Sequence, residues 1–166
     1  MELTELIESD GKGARALTES QCILLVEDSP EDYETTFRSL RKSGLKNPIV
    51  RCTDGEDALD YLLKCGAYRD LGSAGRPGLI LLDLNLPGTD GREVLKEIKE
   101  DSSLKAIPVV VLTTSSDERD IQQCYQFGAN SYIQKPVDLE GFVKAMARMT
   151  DYWFELVIVP KSEKHA

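Results

Sequence analysis

The sequence predicts an α/β fold in which a doubly wound, five-stranded parallel sheet lies between layers of helices. Apolar runs without alternation, such as Leu79-Ile80-Leu81-Leu82, are typical of strands that are buried on both faces. Helical apolar stripes alternate with these runs along the chain, and this alternation indicates a parallel sheet with right-handed crossovers. The length of 166 residues is sufficient for one domain with a sizeable core.

Residues that start and stop helices bound the apolar stripes. Ser29 is a suitable N-cap for the first helix, Pro30 suits its first helical position, and Gly44 is its stop signal. The other helices are expected to open at Asp54-Gly55, at Asp90-Gly91, at Ser116 and near Asp138. We interpret the apolar residues of these helices as core positions that face the sheet.

Carboxylates follow two of the apolar runs. Asp83 closes the run described above, and Glu27 and Asp28 close an earlier one. Ligands bind beyond the carboxyl ends of strands in α/β folds, although Asp83 taken alone favours a helix cap or a turn. Because Ser29 already serves as the helix cap, Glu27 and Asp28 are available for a metal ion. Oxygen ligands of this kind favour Mg²⁺ rather than zinc.

Two later strands end in polar residues of other kinds. A β-branched run ends at Thr113, whose hydroxyl can hydrogen-bond a phosphoryl oxygen. Ser115, with Glu118 three residues later, has the form of a capping box for the next helix. A short predicted strand ends in Lys135 before Pro136, and a residue that precedes proline is held extended. The Lys135 ammonium can reach a phosphate or pair with a carboxylate, or it is one more surface lysine.

In their order and spacing, these four segments resemble the receiver domain of bacterial two-component response regulators, over roughly residues 20–150. The resemblance implies that Asp83 is the phosphoacceptor aspartate and that Lys135 binds the phosphoryl group. It implies a Mg²⁺ site formed by Glu27, Asp28, Asp83 and the backbone carbonyl of Asn85. It also implies two switch residues, the hydroxyl of Thr113 and the aromatic ring of Tyr132.

The resemblance further implies the flavodoxin-like strand order 2-1-3-4-5, in which the acids that follow the first and third strands converge. Asp83 would accept a phosphoryl group from a phosphohistidine of a sensor histidine kinase, so we expect a signalling phosphoacceptor rather than an enzyme. Phosphorylation would draw Thr113 inward and turn Tyr132 from solvent toward the core. The family commonly has a cis bond before the proline, so a cis bond is expected between Lys135 and Pro136.

An apolar segment follows the predicted receiver domain (residues 21–150) and opens the C-terminal extension, residues 151–166. The segment either packs on its own domain or forms a dimer interface, because aromatic-rich apolar surface is usually covered by a partner. We expect a homodimer whose contacts are made by Tyr152, Trp153, Phe154, Leu156, Val157 and Ile158.

Three short sequences indicate a subfamily: Leu-Asn-Leu-Pro-Gly around Asp83, Lys-Pro-Val-Asp-Leu from Lys135, and Tyr-Trp-Phe from Tyr152. Together they are similar to the phytochrome-associated single-domain response regulators. The similarity implies a light-sensing histidine kinase as the partner and dimerisation through the C-terminal end. A receiver for a non-light sensor, or for a phosphorelay, is the alternative.

Composition and charge argue against several other classes of protein. The net charge of −9, without a basic stripe or a helix-turn-helix pattern, disfavours direct binding to nucleic acid. The four cysteines form no C-x-x-C pair. No signal peptide or membrane-spanning apolar stretch is found, so we expect a cytoplasmic protein without a membrane partner. Residues 1–20 are expected to form a flexible tail, and residues 67–78 a mobile surface loop.

Two other functions remain as alternatives. An aspartyl-phosphate phosphatase of the haloacid dehalogenase type needs a second acid two residues after its nucleophile, and that position is Asn85 here. A pseudo-receiver keeps the fold as an interaction module and usually lacks some of the acids or the lysine, whereas this sequence has them all. Both alternatives are therefore weaker than a phosphorylated receiver.

Overall fold

The computed structural model describes residues 21–71 and 75–160, so the tail predicted at residues 1–20 lies outside the described residues. In these ranges the strands are β1 (Ile23–Val26), β2 (Ile49–Cys52), β3 (Leu79–Leu82), β4 (Val109–Thr113) and β5 (Ser131–Gln134). The α-helices are α1 (Pro30–Lys42), α2 (Gly55–Leu63), α3 (Gly91–Glu100), α4 (Glu118–Gln126) and α5 (Leu139–Asp151). A 3₁₀ turn (Gly66–Tyr68) follows α2, and a π-helical turn (Tyr152–Leu156) follows α5.

The five strands form one parallel sheet in the order β2-β1-β3-β4-β5, which confirms the predicted fold. Val26 at the end of β1 pairs with Leu82 at the end of β3. The backbone N–H of Asp83 donates to the Val26 carbonyl at 3.1 Å. Glu27 and Asp83 therefore leave neighbouring strands at the same level, at the carboxyl edge of the sheet.

Alternate residues of β1 face opposite sides of the sheet, and both sides are buried. Leu24 and Val26 pack with residues of α2, α3 and α4, whereas Ile23 and Leu25 pack with residues of α1 and α5. Full burial of one such aliphatic side chain is worth about 1.5–3 kcal/mol. The two cores thus hold the central strands firmly and fix the positions of the residues at their ends.

The helices begin close to the predicted cap residues. Ser29 accepts a hydrogen bond from the Asp32 N–H at 3.3 Å, and Pro30 is the first residue of α1. Gly44, with a positive φ of 96°, follows the end of α1 in a conformation that favours glycine. The N-caps of α2, α3 and α5 are Asp54, Asp90 and Asp138.

The start of α4 differs from the prediction, and the capping box assigned to Ser115 and Glu118 is wrong. Asp117 is the N-cap of α4 and accepts from the Arg119 N–H at 2.9 Å. The Ser115 hydroxyl instead donates to Asp120 at 2.7 Å. Because Asp117 occupies the position next to the helix, Ser115 is left free to fasten the preceding loop.

The peptide bond between Lys135 and Pro136 is trans, since no described residue forms a cis peptide bond, and the predicted cis bond was wrong. The trans isomer is the more stable one before proline by about 0.5–1 kcal/mol. The extended backbone expected at Lys135 is present. Its N–H donates to the Thr113 carbonyl at 2.7 Å and so continues the pairing of β5 with β4.

The C-terminal apolar segment packs partly on its own domain. Trp153 is only 6% exposed and belongs to the core between the sheet, α1 and α5. Phe154 and Val157 are half-buried against the same core. Tyr152, Leu156 and Ile158 are 48%, 73% and 66% exposed. The six residues predicted to form a dimer interface therefore divide into one intramolecular anchor, two half-buried positions and three solvent-facing side chains.

The described part of the loop predicted to be mobile is fastened to its neighbours. The Tyr68 hydroxyl donates to Asp57 Oδ1 at 2.8 Å, and the Tyr68 ring stands edge-on to Tyr61 with the ring centroids 5.1 Å apart. Arg76 donates to the Ser103 carbonyl at 2.6 Å. Both ends of this long connection are thus held against the domain.

The cysteines are free thiols: Cys22, Cys52 and Cys124 are buried, and Cys65 is exposed. Burial raises the pKa of Cys52 to about 12 and that of Cys124 to about 11. These two thiols are therefore neutral packing groups. Within residues 21–71 and 75–160, none of the helices has the length and apolar character needed to span a bilayer.

Candidate functional site

Lys135 lies at the centre of the site, where its ammonium contacts three carboxylates. Its Nζ is 2.6 Å from Glu27 Oε2, 3.0 Å from Asp32 Oδ2 and 3.1 Å from Asp83 Oδ2. Burial opposes the charge of this lysine, but the hydrogen bond to Glu27 and the charge of Asp83 raise its pKa above the ordinary value. Lys135 therefore stays a cation at the bottom of an acidic cleft.

Glu27 is the most deeply buried of these acids, at 2% exposure. Its Oε1 accepts from the Ser29 N–H at 3.1 Å, while Oε2 accepts from Lys135. Burial raises the pKa of Glu27 to about 7, with Asp83 adding to the rise and Lys135 opposing it. Additional positive charge near this carboxyl group would favour its ionised form further.

Asp83 is held at the end of β3 by contacts on both oxygens. Its Oδ1 accepts from the Asn85 N–H at 3.2 Å and its Oδ2 accepts from Lys135. The turn that follows packs tightly on α3, because a Cβ at Gly91 would overlap the Asp83 carbonyl oxygen. Asp83 therefore presents a fixed, nearly buried carboxylate beside a fixed cation.

Carboxylate oxygens of Glu27, Asp32 and Asp83 lie within 4.8 Å of one another. When all three acids are ionised they carry three negative charges, and Lys135 compensates one. The remaining charge and the oxygen-only donor set fit a hard divalent cation, which prefers such ligands. The residues thus suit the metal ion expected from the sequence.

Asp32 was not predicted as a ligand, yet its carboxylate belongs to the acid cluster. Asp28 is exposed and is absent from the acid cluster. Both residues follow Val26, the last residue of β1, and only the Glu27 side chain is buried here. Asp32 lies in the first turn of α1, three residues after the cap Ser29, where it reaches back to Lys135. Acids are common in the first turn of a helix because they complement the helix dipole. The sequence alone therefore does not indicate that Asp32 contacts Lys135.

Thr113 ends β4, and Tyr132 lies in the neighbouring strand β5. Thr113 is fully buried, and its Oγ1 accepts from the Ser115 N–H at 3.4 Å. Tyr132 is half-buried, packs against the core, and donates its hydroxyl to the Ser115 carbonyl at 2.9 Å. The Tyr132 backbone N–H donates to the Tyr125 hydroxyl at 3.2 Å. Tyr132 is therefore already anchored inward, the orientation expected from the sequence for the phosphorylated protein.

A surface pocket of about 440 Å³ opens beside Lys135. Its walls come from α1, the end of β4 and the connection between β5 and α5, and they include Asp32, Thr114, Pro136, Val137 and Phe142. Val137 is fully exposed at its rim. The acid cluster can thus be approached from solvent on this side.

A family model for the response regulator receiver domain matches residues 23–147. The chain belongs to the response regulator receiver family. The match includes every residue of the site described above, from Glu27 to Lys135. A receiver domain is a phosphoacceptor of two-component signalling that binds a divalent metal ion and takes its phosphoryl group from a histidine kinase.

Similar proteins agree with the family. Response regulator Rcp1 of Synechocystis sp. is 43% identical over 138 residues, which cover 83% of this chain and 92% of that protein. The structure of the phosphorylated cyanobacterial phytochrome response regulator RcpA has a TM-score of 0.79 and is 41% identical in sequence. The match covers 85% of this chain and 99% of that chain. The Mn²⁺-bound form of Rcp1 gives a TM-score of 0.79 and 42% identity, with coverage of 85% and 99%.

Proposed function

We propose that Asp83 is the phosphoacceptor of this response regulator. The observation that carries the proposal is the convergence of Asp83 with Lys135 and two further acids at one edge of the sheet. A carboxylate oxygen of Asp83 attacks the phosphorus of a kinase phosphohistidine. The P–N bond breaks, the imidazole leaves with the bonding electrons, and a phosphoaspartate forms.

Phosphoryl transfer depends mainly on positioning and on stabilising the charge of the equatorial oxygens. Lys135 supplies a fixed cation for this purpose. Its contact with Glu27 would keep the ammonium in place when phosphorylation breaks the contact between Lys135 and Asp83. The bonds from Asn85 and Lys135 orient the Asp83 carboxylate. The chain thus promotes its own phosphorylation and dephosphorylation and acts on no separate substrate.

The metal ion of the site is proposed to be Mg²⁺. Glu27, Asp32 and Asp83 would hold it, and the Asn85 backbone carbonyl and the exposed Asp28 carboxylate are further candidates from the family resemblance. When bound, Mg²⁺ would neutralise phosphoryl oxygens and leave water positions open, as this ion usually does in proteins. A structure of the similar protein Rcp1 contains Mn²⁺, which supports the proposal of a divalent metal ion in this chain.

The signal is proposed to leave through Thr113 and Tyr132. A phosphoryl group on Asp83 offers new acceptor oxygens to the buried Thr113 hydroxyl. Thr113 and Tyr132 already share Ser115 as a hydrogen-bond partner. A change at Thr113 can therefore be transmitted to the surface formed by α4 and β5.

We propose a cytoplasmic phytochrome histidine kinase as the phosphodonor, which makes this a light-signalling regulator. The similarity to RcpA, a cyanobacterial phytochrome response regulator, supports this partner. A receiver of a non-light sensor is the alternative. Purified phosphorylated kinases of both kinds would distinguish the two, since the cognate kinase should transfer its phosphoryl group at least about tenfold faster, a difference of about 1.4 kcal/mol in the barrier.

A second copy of the chain is the proposed partner of the C-terminal segment. Tyr152, Leu156 and Ile158 are exposed. Tyr152 and Leu156 lie in the π-helical turn that continues α5, and Ile158 follows this turn. Trp153 fastens the segment to its own domain and so holds the exposed side chains in place. We propose no partner among nucleic acids or membranes.

The phosphoacceptor proposal is tested with acetyl phosphate and Mg²⁺ by intact-protein mass spectrometry. The wild-type chain should gain the mass of one phosphoryl group, and Asp83→Asn should gain none. Asp70→Asn is the matched control, because Asp70 is exposed and outside the cluster. A mass gain that persists in Asp83→Asn would contradict the proposal, and continuous turnover of unrelated phosphoesters would indicate a phosphatase instead.

A further inference from the structure

Arg51 of the edge strand β2 reaches across to the segment that carries Glu27. Its backbone pairs with Leu25 of β1, and its side chain is half-buried. The Nε atom donates to the Glu27 carbonyl at 3.2 Å, and Nη2 donates to the Asp28 carbonyl at 3.4 Å. One planar guanidinium therefore holds two consecutive carbonyls, directly before the N-cap of α1.

The face of the same guanidinium lies over the Tyr33 ring. The guanidinium carbon is 4.5 Å from the ring centroid, within the range of a cation–π contact. Tyr33 directly follows Asp32 in α1 and is half-buried against the core. Arg51 therefore contacts both the segment that follows β1 and the start of α1, and each of these supplies one acid to the cluster.

Glu27 and Asp32 belong to different elements, yet their carboxylates meet at one point with Asp83. We propose that Arg51 is a positioning residue for the metal site, which fastens the end of β1 to the start of α1 so that these two carboxylates converge. The proposal rests on the proposed function, because it concerns the Mg²⁺ ion assigned to this site. The planar guanidinium can hold two carbonyls and an aromatic face together, which an ammonium cannot.

The charge of Arg51 and its positioning role act in opposite directions on metal binding. A fixed positive charge near a cation site weakens binding of the cation by repulsion. If charge were its whole effect, removal of Arg51 would strengthen Mg²⁺ binding. If Arg51 positions the ligands, its removal weakens binding in spite of the lost repulsion. The sign of the change in Kd therefore separates the two roles.

Arg41 offers a matched control in the last turn of α1. Its guanidinium carbon lies 5.1 Å from the centroid of the Phe37 ring, and its Nη1 donates to the Leu45 and Asn47 carbonyls at 2.9 Å each. These contacts are of the same kind as those of Arg51, one aromatic ring and two backbone carbonyls. None of these groups belongs to the acid cluster, so loss of Arg41 should leave the metal site unchanged.

The test measures Mg²⁺ binding to the full chain by isothermal titration calorimetry at constant ionic strength. Arg51→Met keeps an unbranched stem but removes the charge and the donors, and Arg51→Lys keeps the charge without the planar group. Groups that orient metal ligands typically change the affinity by tenfold or more when they are lost, so the Kd of Arg51→Met should rise about tenfold. The Kd should also rise in Arg51→Lys and should stay unchanged in Arg41→Met.

A second measurement does not depend on the metal ion. The Ser29 N–H donates to Glu27 Oε1 at 3.1 Å, so its hydrogen exchange reports whether the Glu27 carboxylate is held in place. In the presence of EDTA, this amide should exchange faster in Arg51→Met than in the wild type or Arg41→Met. A merely structural role for Arg51 predicts instead a lower melting temperature, as in Arg41→Met, with an unchanged Kd.

An unchanged or lower Kd in Arg51→Met would overturn the proposal and leave the metal site itself intact. Ser29 exchange that is equal in Arg51→Met and the wild type would also contradict it. If Arg51→Met fails to fold, Arg51→Lys decides the question by the same two measurements. Failure of the proposed metal site is a separate result, in which the wild-type chain binds no Mg²⁺, and the positioning role then falls with it.

Discussion

The Lys135 ammonium lies closer to Glu27 than to Asp83, with Nζ–O distances of 2.6 Å and 3.1 Å. The lysine is thus anchored by an acid other than Asp83, the proposed phosphoacceptor. When an Asp83 oxygen bonds to phosphorus and the side chain becomes an acyl phosphate, Lys135 would keep its position and turn toward the new phosphoryl oxygens. Glu27 thus anchors the lysine, and Asp83 is left free to react.

Lys135→Ala should destabilise the metal-free chain strongly. Removing one partner from a buried charge cluster leaves the other charges uncompensated, at a cost of about 3 kcal/mol in the free energy of unfolding. Urea unfolding in the presence of EDTA measures this loss, and added Mg²⁺ should recover part of it. Lys144→Ala on the exposed face of α5 is the control and should change little. Equal effects for the two variants would contradict the assigned role of Lys135.

Asp32→Asn should weaken Mg²⁺ binding more than Asp28→Asn. The Asp32 carboxylate belongs to the acid cluster, whereas that of Asp28 is exposed and outside it. We expect at least about a tenfold rise in the Kd for Asp32→Asn, which corresponds to about 1.4 kcal/mol. Isothermal titration calorimetry at constant ionic strength provides the comparison, and the opposite ranking would show that Asp28 is the ligand.

The stability of the metal-free chain should fall as the pH rises from about 4.5 to about 7. The reason is that burial raises the pKa of Glu27 from its ordinary value of 4.5 to about 7 in the folded chain. In this window the folded state binds more protons than the unfolded state, so the free energy of unfolding decreases with pH. The loss is at most about 3 kcal/mol. Glu27→Gln lacks the titrating group, so its stability relative to the wild type should increase across the window. Parallel pH profiles for the two proteins would contradict this.

Only one cysteine should react rapidly with a thiol reagent in the folded chain. Cys65 is exposed, whereas burial raises the pKa values of Cys22, Cys52 and Cys124 and shields their sulfur atoms. Titration with Ellman's reagent should give one fast equivalent in buffer and four in urea. Cys65→Ser should abolish the fast phase, and a remaining fast phase would mean that the buried thiols are accessible.

Two substitutions in the C-terminal segment should have different consequences. Trp153→Ala removes a buried aromatic ring and should cost about 3–5 kcal/mol of folding stability. Leu156→Asp changes an exposed side chain and should leave folding intact while shifting the chain toward monomer. Thermal unfolding and analytical ultracentrifugation separate the two effects. A wild-type chain that stays monomeric at high concentration would remove the basis for the dimer.

Much of the site was predictable because its key residues follow strands. Asp83, Glu27 and Lys135 each come directly after a strand, and parallel strands bring their carboxyl ends to one edge. The sequence pattern therefore locates the residues along the chain, and the family resemblance supplies the strand order that brings them together.

The unpredicted features depend on side-chain direction, which residue spacing does not specify. In the sequence, Asp32 cannot be told from any other acid that complements a helix dipole. Its contact with Lys135 is visible only in the structure. Ser115 matches a capping box, but Asp117 lies nearer the helix and takes that role. The burial of Trp153 likewise depends on how the π-helical turn directs the end of α5 back onto the core.

The hydrogen bond from the Tyr132 N–H to the Tyr125 hydroxyl has a consequence for assembly. β5 is an edge strand, and an edge strand with free N–H groups invites pairing with a strand of another chain. Tyr125 occupies one of these outward-facing donors with a side chain of the same molecule. Extension of the sheet across this edge is therefore disfavoured, and two copies that meet on this side would do so through helix side chains rather than through a shared sheet.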